Sequence, residues 1–109
     1  DGVTAPALPA GWTSTLGPSG GILWTTQASS PHTTPNRAFA PSSSITADTS
    51  IVSPSFSLSN SNRRLLFQNN YNVESGWDGG VLEISIAGGA FLDIVAAGGV
   101  FVSGCYIAG

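Results

Sequence analysis

The sequence predicts an all-β chain, an antiparallel β-sandwich, and three observations lead there. No window repeats apolar residues every three to four positions, as an amphipathic helix requires. Gly (14) and Pro (7) punctuate the chain from end to end. Between them stand short runs rich in β-branched and aromatic residues, at the spacing of sandwich strands.

In chain order, the first expected strand covers 12–16, Trp-Thr-Ser-Thr-Leu, and the second covers 22–26, Ile-Leu-Trp-Thr-Thr. A third is expected at 38–40, and two more, at 49–53 and 56–58, flank Pro54. Residues 63–69 follow, then 81–86, where Leu82, Ile84 and Ile86 share one face and Val81, Glu83 and Ser85 the other. The last two, 90–94 and 100–103, each follow a glycine pair in a near-repeat, Gly88-Gly89-Ala90-Phe91-Leu92 and Gly98-Gly99-Val100-Phe101-Val102. Glycine pairs before such residues read as turns feeding strands.

A chain of 109 residues buries about two-thirds of its unfolded surface, enough for one core. One module over 1–109 is therefore expected. Residues 28–62 are rich in Ser, Thr and Pro and read as connections, because proline removes ladder donors and holds its predecessor extended. Their composition also matches O-glycosylated stalks.

Only 8% of residues are charged against 41% hydrophobic, and the net charge is -3. Three arginines, Arg37, Arg63 and Arg64, are the only basic side chains, too few for a phosphate-neutralising stripe, so nucleic acid is not an expected partner. The absence of lysine removes the usual protection of sheet edges. The single cysteine, Cys105, forms no intrachain disulfide and reads as a small apolar strand residue. Residues 87–109 are the most apolar stretch, with Asp93 the only charge, yet glycines interrupt it throughout. It reads as short strands and an assembly segment, not a membrane span. The opening Asp1-Gly2-Val3 lacks the pattern of a signal peptide, which fits a processed chain or an internal piece of a longer one.

No catalytic constellation stands out. His32 is the only histidine and sits in a loop-like stretch, so zinc sites and Ser-His-Asp or Cys-His arrangements lack context. Glu74 and Glu83 are the nearest approach to a glycosidase pair, and any two acids would do as well. Calcium is the one ion with a case, because it accepts carboxylates and carbonyls in a turn. Glu74 and Asp78 and the carbonyls near Gly79-Gly80 are its candidate ligands, with Asn72 or Asp48 contributing from nearby; the competing reading is a tight turn with Asp78 bonded to its own backbone. Trp77, beside glycines, is the tryptophan expected to be exposed, and with Tyr71 it is the candidate contact for a sugar ring or a neighbouring subunit.

The segment Tyr71-Asn72-Val73-Glu74-Ser75-Gly76-Trp77-Asp78-Gly79-Gly80, the strand Leu82-Glu83-Ile84-Ser85, Ile51-Val52-Ser53-Pro54-Ser55-Phe56, Leu65-Leu66-Phe67, and the landmarks Leu8-Pro9-Ala10-Gly11-Trp12 and Asn36-Arg37-Ala38-Phe39 resemble a known family. It comprises the jelly-roll, MAM-like and carbohydrate-binding-module-like β-sandwich modules of bacterial secreted peptidases and surface proteins, the immune inhibitor A type among them. The resemblance implies an antiparallel jelly-roll-like β-sandwich, an extracellular and bacterial setting, and an accessory, non-catalytic role. Ala87-Gly88-Gly89 departs from the family's Asp-Gly-Gly. Family modules also run on past the position of Gly109, which leads to the expectation of an incomplete sandwich that a neighbouring subunit completes.

Two functions from different classes follow. One is a structural module that self-assembles into a fibre or surface layer by strand pairing between copies. The other is a glycan- or cell-surface-binding accessory module of a larger secreted protein.

Overall fold

The computed structural model describes residues 2–58, 63–70 and 77–104. Its contacts divide the chain into two compact units, Asp1–Gln68 and Asn69–Gly109. The described residues contain no helix and six short strands, paired as three two-stranded antiparallel sheets.

In the first unit, β1 (Thr13–Leu16) pairs with β4 (Thr49–Val52), Thr13 opposite Val52 and Leu16 opposite Thr49. β-branched residues make up half of β1 and most of β4, as a pleated, half-buried surface favours. The ladder ends where Gly17 N–H donates to Asp48 O at 2.7 Å and Asp48 N–H donates to Gly20 O at 2.9 Å. Ser14 ties the sheet to the following segment: its Oγ donates to Ser50 O at 2.9 Å and accepts from Trp24 N–H at 2.9 Å.

β2 (Thr25–Gln27) pairs with β3 (Arg37–Phe39), and Gln27 faces Arg37. Thr26 fastens the chain near Pro6 to β2: its N–H donates to Pro6 O at 3.1 Å and its Oγ1 to Ala7 O at 2.6 Å. Those bonds accompany the deepest burial among the described residues, 5% exposure.

In the second unit, β5 (Glu83–Ile84) pairs with β6 (Leu92–Asp93). Between them Gly89 N–H donates to Ile86 O at 3.0 Å around Ala87, at φ 52°. Positive φ at this position belongs to the hairpin turns whose twist matches that of the strands. The alternation holds over its first half: Leu82 and Ile84 are half-buried, Val81 and Glu83 exposed, while Ile86 is exposed.

The strand expected over 90–94 stops at Asp93, and the reason is local. Asp93 Oδ1 accepts from Val95 N–H at 2.8 Å, turning the backbone out of the sheet. Gly99 N–H then donates to Ile94 O at 2.8 Å and Gly98 N–H to Val95 O at 3.0 Å, the paired bonds that close a helical turn. Gly98, at φ 96°, occupies the left-handed position this closure needs.

Three expected strands are absent from the described residues: 56–58, 63–69 and 100–103. The second expected strand shifts to Thr25–Gln27, and that at 81–86 shrinks to Glu83–Ile84. A strand exists only where a second backbone completes its ladder. Apolar composition marks a segment that can pair without supplying the partner.

Among the described residues no hydrophobic side chain is buried. Eighteen large apolar side chains are exposed, Leu66 at 87% the most. Trp24 Nε1 is buried with no hydrogen-bond partner among the described residues, which costs stability.

Candidate functional site

The predicted contact residues fall on both sides of the described boundary. Trp77 is 83% exposed, as its glycine-rich surroundings led us to expect, and Tyr71 lies outside the described residues. Of the calcium candidates, Asp78 is exposed in the second unit, Asp48 belongs to the first, and Glu74 lies outside the described residues. Asp48 sits at the end of the β1–β4 ladder, where its backbone bonds Gly17 and Gly20 and its carboxylate packs against Gly17. Among the described residues no three His, Cys, Asp or Glu side chains gather as a metal group. Cys105 lies outside the described residues, and His32 is exposed, its Nδ1 3.1 Å from Thr33 Oγ1.

The sheets among the described residues are each two-stranded. In a two-stranded sheet each strand turns half its N–H and C=O groups away from the ladder, and these groups seek water or another strand. In the first unit an apolar hollow of about 310 Å³ is lined by Leu8, Pro9, Trp12, Thr26, Ala38 and Ile51. Trp12 and Ile51 come from either side of the Thr13–Val52 end of the β1–β4 ladder, so the sheet's register places them together.

One arrangement was not foreseen from the residues. Arg37 Nε donates to Gln27 Oε1 at 3.1 Å, Nη2 donates to the same oxygen, and the guanidinium carbon stands 5.4 Å from the Phe39 ring centre. Two signals for it are present in the chain: Arg37 and Phe39 are two apart on a strand and so share a face, and a polar Gln27 precedes them across a connection. The register that sets Gln27 opposite Arg37 depends on how that connection folds.

Comparison with protein-family models, with characterised proteins and with solved structures finds no match to this chain.

Proposed function

We propose that the chain is a non-catalytic extracellular structural module that assembles with copies of itself through β-strand pairing, forming a fibre or surface layer. The observation that carries this reading is the exposure of eighteen large apolar side chains while no hydrophobic side chain among the described residues is buried. Two-stranded sheets are marginal alone in water and gain stability when further strands or a packed face are added. Strand addition from a neighbour supplies both at once, hydrogen bonds to the open edge and cover for apolar side chains. Low charge and the lack of lysine leave little to oppose it. In the finer form of this reading, added strands complete an antiparallel jelly-roll-like sandwich.

Because such a contact joins one surface to a different one, it propagates unless the rotation closes. Light scattering and electron microscopy of the purified chain test this directly. Growing assemblies with increasing concentration are expected. A monodisperse monomer that melts cooperatively across the accessible concentration range would remove the proposal.

Trp77 favours a second reading, a glycan- or cell-surface-binding accessory module, since an exposed indole can stack on a sugar ring. Glycan binding by a stable monomer, lost in Trp77→Ala, would select it.

A further inference from the structure

Arg37 is fixed from two directions by its own sheet. Gln27, its register partner, holds Nε and Nη2, and Phe39, on the same strand face, lies beneath the guanidinium. Of the five guanidinium N–H donors, Gln27 takes one from Nε and one from Nη2, and Nη1 bonds no acceptor among the described residues. The side chain is half-buried, and among the described residues no carboxylate pairs with it. A positive charge held rigidly and partly withdrawn from water favours an anionic partner, because orienting it has already been done by the protein.

An open cavity of about 420 Å³ in the first unit has Arg37 among its lining residues. His32, Thr33, Asn36, Phe67 and Gln68 are among the residues that line it. Asn36 is itself anchored, its Nδ2 donating to Val3 O at 2.8 Å. The volume falls within the roughly 300–1,000 Å³ of small-molecule sites, and the lining mixes polar residues with Leu66 and Phe67.

We propose that this cavity binds a small organic carboxylate, whose charged group meets Arg37 and whose ring-shaped body lies against Phe67. One planar guanidinium matches one carboxylate. A phosphate dianion would ask for more positive charge than the cavity holds, on a chain whose net charge is -3. This site is separate from the assembly reading and does not depend on it.

Saturation-transfer NMR reads the ligand's own signals and works on monomers and assemblies alike. The probes are benzoate against benzamide and glucuronate against glucose, each pair differing at the charged group. Transfer is expected to at least one carboxylate, with binding about tenfold weaker for its neutral counterpart, the scale of a lost charge-assisted hydrogen bond. Benzoate alone would define an aryl body, glucuronate alone a sugar body, and either supports the site. Arg37→Gln is expected to abolish the preference for charge, and Arg64→Gln, whose side chain is outside the cavity lining, to leave it intact. Equal transfer to charged and neutral probes in the unaltered chain would overturn the proposal even if Arg37→Gln failed to fold. Unchanged carboxylate binding in a folded Arg37→Gln would overturn it as well.

Discussion

Replacing Trp77 by alanine tests the assembly reading at its most exposed tryptophan. A tryptophan side chain offers on the order of 200 Å² for burial, and Trp77 is 83% exposed. Covering that surface in a neighbour would remove roughly 170 Å² from water, or about 4 kcal/mol at about 25 cal/mol per Å². Ordering the side chain and desolvating its indole N–H offset part of that gain, so about 2 kcal/mol is the expected net loss on truncation. Such a loss raises the concentration at which assemblies appear about thirtyfold. Pelleting and sedimentation velocity over a dilution series measure that threshold. Circular dichroism of the dispersed chain is expected to be unchanged, since so exposed a side chain adds little to its own fold. A threshold shifted less than about threefold, below about 0.7 kcal/mol, would refute Trp77 as a subunit contact.

Two further outcomes concern local structure and metal. Gly21 has φ 129°, and a Cβ there would stand 2.8 Å from Ala47 Cβ and 2.9 Å from Thr49 Cγ2. Gly21→Ala is therefore expected to cost about 2–4 kcal/mol and to lower the melting temperature by about 10 °C or more; Gly20→Ala, at φ 74° with nothing within 4 Å, is expected to cost less, and equal melting temperatures for the two would refute the argument from Gly21's φ and close approach. If Asp78 and Glu74 hold calcium, EDTA lowers the melting temperature of the unaltered chain and leaves that of Asp78→Asn where it was; a melt insensitive to EDTA removes the ion.

The first unit was legible where a strand's own residues decide its state. Thr13-Ser14-Thr15 and Thr49-Ser50-Ile51 are β-branched or small, bounded by Gly and Asp, and they pair nearly over the predicted spans. The turn at Ala87-Gly88 was legible for the same reason. The span 90–94 overran because Asp93, the last residue of β6, bonds Val95 N–H through its carboxylate and starts a turn that Gly98 closes. An Asp followed five residues later by Gly carried that signal. The runs at 56–58, 63–69 and 100–103 misled differently: their composition shows what they can bury, and pairing depends on a second backbone. Arg37 drew no attention as a site residue because its meaning lies in Gln27 and in cavity walls that reach Gln68.

The three sheets are not equally suited to receive a neighbour's strand. In the β5–β6 sheet, Glu83 stands opposite Asp93, and like charges directly across a ladder oppose pairing. The β2–β3 sheet carries Arg37, and Thr26 N–H and Oγ1 of β2 are already bonded to Pro6 and Ala7. Pro6 has no N–H to give in return. The β1–β4 sheet holds no charged residue in either strand. Charge is the commonest protection of an edge, so addition is expected at β1 or β4. Hydrogen exchange separates the cases: on assembly, amides of Thr13–Leu16 or Thr49–Val52 that face away from their ladder should slow by the tenfold or more that about 1.4 kcal/mol of added protection gives. Ala38 and Glu83 should exchange as they do in the dispersed chain. Protection gained at β3 or β5 alone would place the joint elsewhere and refute the argument from charge.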